Sequence, residues 1–508
     1  MSGKVTRRGF LAFGGGAVLA GAALAACSGS SPSSTSSTPA TSSAPAAAPT
    51  SASAAAAPTA AATAATSSST TSAQATTAPA QQSTSGQAVT IREAQFPGVG
   101  WEQDPRYTDI FMKAHPNIKV VTESTPYAQM YQKVLTQGAT GTLPDIFPGH
   151  TRWVSYWEYK NLCLELMPLV KTYADETKFD DFFPSVIKDM TGNPGAVGKL
   201  FTFPTIVHPG GNAVVELNLD LMEKAGVKPL TQAQMDNSDW TVDDLDAIVR
   251  GAAKPKDNIW GLTASYSSPL YSTQVTRSWS DTPDPAATPD SWVLSPDGKT
   301  GQLGSPNVKT SFEWYRKLIG DGFVPTAANQ LPTGSTGLTF FTAGQEIAQT
   351  NIIAVQADGK AIGDKFKWTT LLWPKGPKGC RGSCLSYNTW SINSKTKSPD
   401  DTFHLLNTLT GTDAGFWAGY DGNAVPYCRH SIWFDQRLWQ KYPIYKQGAA
   451  WFQLGIDPFP MPYNLRAQEY QDSFGQNTDK YLNGKQDWTQ MYPTTHDAVQ
   501  KILDEPRP

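Results

Sequence analysis

An aromatic ring stands beside a charged or amide side chain at four separated places: Trp101-Glu102, His150-Thr151-Arg152-Trp153, Tyr387-Asn388-Thr389-Trp390 and Tyr463-Asn464-Leu465-Arg466. His208 stands by itself at a fifth. Flat rings accept the apolar CH faces of a cyclic, hydroxyl-rich solute, while amide, carboxylate, imidazole and guanidinium groups pair with its hydroxyls. These types suit reversible recognition of a neutral polar molecule such as a sugar. Each also has a plain structural use. Trp153 shares helical spacing with Tyr156 and Trp157, which would equally suit a face turned to the core. Trp390 alternates with Thr389 and Ser391 in a strand and can face either way, His208 suits a satisfied structural histidine, and Arg152 and Arg466 suit surface ion pairs.

Covalent or metal chemistry finds little support. The chain has no GxSxG, HExxH, GxxxxGK[ST] or strand-turn-helix GxGxxG, so the usual nucleophile, zinc-protease, nucleotide and dinucleotide patterns are missing. Glu102 and Asp145 are carboxylates that a glycoside-active enzyme could pair, but no spacing holds them together. Cys163, Cys380, Cys384 and Cys428 offer no CxxC with nearby histidines, so no metal or other cofactor is expected. Cys380 and Cys384 in GCRGSC are close enough to bridge a small loop. A formal net charge of -3 advertises no basic surface for nucleic acid.

The elements that must position these residues follow from periodicity. AVTIREAQF alternates as a strand and breaks at Pro97-Gly98. DPRYTDIFMKAH reads as a helix ending before Pro116, and Ile118 to Glu123 as the next strand. A helix from Tyr127 to Gly138 and the strand PDIFPG complete a strand-helix-strand-helix-strand run, the pattern of a parallel sheet wrapped by helices. Ligands of such sheets meet the loops at the carboxyl ends of the strands, which points to Gly98–Glu102 and Gly149–Trp153.

The first residues carry an address. Arg7-Arg8, then Phe10-Leu11 and a Gly/Ala-rich apolar run to Ala26, make a signal peptide over residues 1–26 that resembles the twin-arginine type. Leu24-Ala25-Ala26-Cys27 resembles a bacterial lipobox, which would leave Cys27 as a lipidated N-terminus. From Ser28 to Ala88 only Ser, Thr, Ala, Pro, Gly and Gln occur, so residues 27–88 cannot bury enough apolar surface to offset chain entropy and read as a disordered tether. Such a tether spans about 40 Å. All 16 tryptophans fall in the body from Val89 to Pro508, and apart from the signal no run is apolar enough to span a bilayer. The body is long enough for two domains.

Six segments, in order, resemble the family 1 extracellular solute-binding proteins, which include the sugar receptors of ABC importers. They are FMKAHPNIKVVTE, GTLPDIFPGH, GKLFTFPTIVHPGGNAVVELNLDLMEKAGV with WTVDDLDAIVRGAAK after it, FFTAGQEIAQTN, LLWPKGPKG, and SPDDTFHLLNTLTGTDAGFWAGYDGNAVPYCRHS. The resemblance implies an α/β, two-lobed periplasmic-binding-protein-like fold of type II, with a ligand cleft between lobes joined by several hinge crossings. It implies lobe 1 from 89–207 and 374–415 and lobe 2 from 208–373 and 416–508, with crossings near Thr205–Ala213, Trp373–Gly379 and Gly411–Asn423. With the signal and lipobox it implies an extracytoplasmic lipoprotein on a bacterial membrane that delivers a carbohydrate to ABC permease subunits; the sequence gives no reason to expect an oligomer, so a monomer is expected. Trp101, Glu102, His150, Arg152, Trp153, His208, Asn388, Trp390, Tyr463 and Arg466 would line the cleft. One segment departs from the pattern: GQEIAQTNIIAVQ carries Ile353, Ala354 and Val355 where sugar receptors often have glycine, proline and tryptophan. Trp279 is a candidate replacement. The same fold also binds polyamines, iron, phosphodiesters or peptides, which stand as alternatives beside a secreted glycoside-active enzyme.

Overall fold

The computed structural model describes residues 88–96, 105–208, 214–264, 275–282, 293–295, 297–326, 329, 331, 339–351, 355–382, 385–422, 424–454 and 464–505. The signal, Cys27, the tether, Trp101, Glu102, Cys384 and Tyr463 lie outside these residues.

The N-terminal run forms as its periodicity predicts. Strand β1 (Val89–Gln95) leads to helix α1 (Pro105–Ala114), which stops two residues before Pro116. Strand β2 (Ile118–Ser124) follows, then helix α2 (Tyr127–Thr140), which buries Met130, Val134 and Gly138 at i, i+4, i+8 and ends on Gly141 in the left-handed region. Strand β3 (Ile146–His150) runs straight into helix α3 (Thr151–Tyr159). Asp145 belongs to this frame and not to an acid/base pair. Its carboxylate accepts from the Arg92 backbone N–H at 2.9 Å and from Thr396 Oγ1 at 2.7 Å, tying the start of β3 to β1 and to the chain just past β9.

Two sheets result. The first has the order β2-β1-β3-β9-β4, with β4 Thr202–His208 and β9 Ser386–Ile392. The second has the order β6-β7-β5-β8, with β5 Val214–Asn218, β6 Trp260–Thr263, β7 Glu346–Asn351 and β8 Trp368–Leu372. In the first sheet β1 pairs parallel with β2 and β3, and β9 runs against both β3 and β4. In the second, β6 and β7 are parallel and β5 runs against β7 and β8.

Both exceptions are the first strand after the chain changes sheet. β4 ends at His208 and β5 begins at Val214, so the gap is at most about 20 Å of extended chain. A chain leaving the carboxyl edge of one sheet and entering the other over so short a distance must run away from the gap as it enters. The carboxyl ends of β1, β3 and β4 therefore face those of β6, β7 and β8. The return from β8 to β9 repeats the arrangement in the opposite sense.

Each sheet has a buried core, and that of the first also takes in Val214 and Leu372 from the second. β3 sends Ile146 to one face and Phe147 to the other, and both faces of the first sheet are covered, which explains its nearly continuous apolar run. The second core gathers Val215, Leu217, Trp240, Leu262, Ile347 and Leu371. The cluster that holds the buried side chains from Phe403 to Ala449 also holds Val214 and Leu372 of the second sheet, and the chain's buried side chains from Tyr470 onward belong to the second core. The resemblance groups 416–508 with the second lobe; within that segment the helix Ile444–Leu454 packs against β8, Tyr445 Oη accepts from Gln356 Nε2 at 2.7 Å and Gln447 Nε2 donates to the Met235 carbonyl at 3.1 Å.

Candidate functional site

The carboxyl end of β3 is joined to β9 by a side chain that imitates backbone. Thr151 Oγ1 donates to the Tyr387 carbonyl at 2.7 Å and accepts from the Tyr387 N–H at 2.9 Å, extending the β3–β9 ladder one residue beyond His150. His150 caps α3: its Nδ1 accepts from the Arg152 N–H at 3.3 Å. An accepting Nδ1 leaves the proton of the neutral ring on Nε2, which lies 3.3 Å from Ser386 Oγ. Asn388 is opposite His150 in the ladder, and His208 pairs with Ser386 through the β4–β9 register. One sheet edge thus collects His150, Ser386, Asn388 and the backbone of His208.

Aromatic rings form one side of this edge. Tyr127, in the first turn of α2, lies 4.7 Å from the Trp153 ring, 5.2 Å from Phe96 and 6.3 Å edge-on from His150. Tyr127 is 37% exposed, whereas Trp153 is 2% exposed, so Tyr127 presents the open face and Trp153 supports it. The Arg152 guanidinium lies 5.6 Å from the Tyr127 ring and 5.4 Å from the Trp153 ring.

The opposite wall comes from the helix Ala467–Leu482, whose Tyr470, Phe474, Tyr481 and Leu482 belong to the second core. Gln471 Oε1 accepts from Arg152 Nη1 at 2.9 Å, and Gln468 Oε1 accepts from Trp153 Nε1 at 3.1 Å. Arg152 Nη2 donates to Tyr127 Oη at 2.9 Å. The two cores therefore touch through residues of the candidate site. Arg466 begins the same helix and is neutralised by Glu469 at 2.9 Å and Glu505 at 3.1 Å, so it anchors the helix.

One acidic group near this edge is not singled out by sequence. Glu93 in β1 is fully buried and accepts from Gln95 Nε2 at 2.8 Å and Thr108 Oγ1 at 3.1 Å. Burial pushes its carboxyl up to about 7 against those two hydrogen bonds. A glutamate in an alternating strand reads as the solvent face, and only the packing of α1 over β1 reverses that. Tyr127 and the glutamines of the second wall also escape a reading of the sequence; the only available sign is that Tyr127 and Gln468 stand in the first turn of a helix that follows a strand or a loop, with Gln471 one turn on from Gln468.

The structure brings His150, Arg152, Trp153 and Asn388 together. Trp390 is elsewhere: it shares a sheet face with Asn388 but lies two residues deeper along β9, between Pro148 and Phe203 by register, and is fully buried in the first core. Trp279 likewise packs in the second core, 5.6 Å from Trp314. Cys380 is buried; its expected partner Cys384 lies outside the described residues. Among the described residues no three His, Cys, Asp or Glu side chains are grouped to hold a metal ion. Rings, amides, an imidazole and a guanidinium at one sheet edge make a surface suited to holding a polar solute.

Among solved structures, the chain resembles an ABC substrate-binding protein of Listeria monocytogenes in complex with cycloalternan, with a TM-score of 0.67 and 17% identity over 82% of this chain and 99% of that one. It resembles the GacH receptor of Streptomyces glaucescens, described with acarbose, with a TM-score of 0.66 and 15% identity over 83% and 100%. A solute-binding protein of Agrobacterium vitis with bound D-mannitol gives 0.63 and 18% over 82% and 98%. At these identities the likeness establishes the fold, the two-lobed α/β architecture of periplasmic binding proteins. No curated protein matches the chain. The family model described as bacterial extracellular solute-binding protein matches residues 87–415, well over half of the sequence, and the chain belongs to that family.

Proposed function

We propose that the protein captures a carbohydrate between its two sheets and delivers it to the permease of an ABC transporter, held near a bacterial membrane by a lipid on Cys27 and the tether after it. Family membership makes it an exported, non-enzymatic component of solute transport. Among the described residues no helix is long and apolar enough to cross a membrane. The observation that carries the carbohydrate reading is the Tyr127–Trp153 ring pair with His150, Arg152 and Asn388 at one sheet edge, facing Gln468 and Gln471 from the other core. The solved neighbours with cycloalternan, acarbose and mannitol support it. Trp101 and Glu102 belong to the segment that continues from β1, and Tyr463 to the segment just before the helix Ala467–Leu482; we assign them to the same cleft. The protein acts as a monomer.

Thermal unfolding against sugars and polyols, with polyamines, amino acids, peptides, phosphodiesters and ferric iron as contrasts, tests this. A saturating ligand at a hundred times its dissociation constant adds about 2.7 kcal/mol and raises the midpoint by several degrees. A rise with one carbohydrate class, lost in Tyr127→Ala, supports the reading. A rise only with a non-carbohydrate keeps the family and refutes the ligand.

A further inference from the structure

Among the described residues, Arg152 has no counter-ion. Its Nη1 and Nη2 are spent on Gln471 Oε1 and Tyr127 Oη, both neutral, and none of the described carboxylates stands within ion-pair distance. Arg466, at the start of the facing helix, has two. The Nε of Arg152 is buried and makes no hydrogen bond, and neither does Nε2 of Gln471, a side chain only 7% exposed. Both orphans are N–H donors, and they belong to two side chains already bonded to each other. Leaving such donors unmet in a buried place costs free energy. Oxygen acceptors supplied by a solute remove that cost, and acceptors that carry negative charge also satisfy the guanidinium, with hydrogen bonds about twice as strong as neutral ones.

The surroundings have the same sign. Arg152 stands in the first turn of α3, where the partial positive charge of the helix end favours an anion. The acids in the first two turns of the facing helix are exposed and otherwise engaged: Glu469 pairs with Arg466, and Asp472 accepts from Gln468 Nε2 at 2.9 Å.

We propose that the solute is an acidic carbohydrate, its carboxylate or phosphate seated on the Arg152 guanidinium beside the Gln471 amide and its ring on Tyr127. This rests on the reading of the cleft as a carbohydrate site and narrows the substrate class.

Calorimetric titration of the whole protein with a galacturonate disaccharide, a hexose 6-phosphate and the neutral galactose disaccharide tests it. One of the two acidic sugars binds about 10- to 100-fold more tightly than the neutral one, as expected for hydrogen bonds to a charged group, and which one it is identifies the anion. Arg152→Gln removes the advantage and Arg152→Lys keeps part of it, with circular dichroism reporting whether each variant folds. Gln471→Leu, which leaves the charge in place, reduces the advantage by a smaller factor and serves if neither arginine variant folds. Equal or tighter binding of the neutral disaccharide, or an equal loss for acidic and neutral sugars in Arg152→Gln, overturns the inference while leaving the carbohydrate reading intact. Binding of no sugar at all, with a response to another solute class, overturns both.

Discussion

Replacing Glu346 by glutamine should make the protein more stable in mild alkali and leave it nearly unchanged in mild acid. Glu346 opens β7 and is fully buried, accepting from Thr263 Oγ1 at 2.5 Å. Burial pushes its carboxyl from an ordinary 4.5 up to about 8, with the Thr263 hydrogen bonds opposing. An acid whose folded pKa is raised binds its proton more tightly in the fold than in the unfolded chain. Its stabilising contribution is complete below 4.5 and is lost as pH climbs toward 8. Between pH 5.5 and pH 8 this one group costs the fold about 3 kcal/mol, at about 1.4 kcal/mol per pKa unit. The melting point of the wild type therefore falls over that interval by about 6 °C or more if the second lobe unfolds by itself, and by about half that if both lobes unfold together. The amide of Glu346→Gln cannot ionise, so the curve of the variant lies flatter by this amount. Whatever constant offset the amide introduces, the slope is diagnostic. Melting curves of the wild type and Glu346→Gln that stay parallel from pH 5.5 to pH 8 would refute the argument, since they would mean that Glu346 does not bind its proton more tightly in the fold.

Arg429 is 2% exposed, donates to the carbonyls of Thr410 at 2.8 Å, Thr177 at 3.2 Å and Lys178 at 3.3 Å, and lies 4.1 Å from the Phe182 ring. Arg429→Ala strands those carbonyls and should cost about 3 kcal/mol or more in urea unfolding; a loss below about 1 kcal/mol would sink this account. A methyl group at Gly149 would stand 2.7 Å from Thr389 Oγ1 and 2.8 Å from Trp157, so Gly149→Ala should destabilise by about 1–3 kcal/mol and weaken solute binding, and wild-type melting would contradict it. Burial pushes the thiols of Cys163 and Cys428 up, Cys428 to about 12, so neither should react with a thiol reagent at pH 8 until the protein unfolds. Peptide mapping that finds either one modified in the native state would be the contrary result. Gln468→Ala removes the hydrogen bond to Trp153, worth about 1 kcal/mol, and should expand the solute-free protein in small-angle scattering; an unchanged profile would show that this contact does not hold the walls together.

The first sheet is legible because every signal in it is local. Pro116 stops α1, the i, i+4 spacing of Met130 and Val134 sets α2, and alternation sets β1 and β2. The PDIF segment also carries a structural reason that its pattern alone does not reveal, since Asp145 bonds to β1 and to Thr396 from far along the chain. The site is legible in part. His150, Arg152 and Trp153 follow a strand end, and the rule for open sheets finds them. Trp390 misleads because the strand pattern puts it on the same face as Asn388 and does not say that two residues along the strand separate an open end from a closed core. Glu93 and Gln471 are hidden for a related reason: their burial depends on helices packed from elsewhere, and neither residue type announces it.

The antiparallel entry of β5 and of β9 has a consequence for binding. Because the chain crosses between facing strand ends, the walls are joined at their edges and can touch when nothing lies between them, as Arg152 with Gln471 and Trp153 with Gln468 do. A solute entering here must displace those two hydrogen bonds, about 2 kcal/mol in all if one is neutral and the other charged but partly wet. It gains the exposed face of Tyr127 and the two orphan donors of Arg152 and Gln471. The wall contact therefore acts as a filter as well as a seal. A solute that offers only apolar surface loses the hydrogen bonds without replacing them, whereas one that carries acceptor oxygens beside a flat CH face replaces both and adds ring contact. That difference, more than the affinity of any single side chain, selects what this cleft can hold closed around.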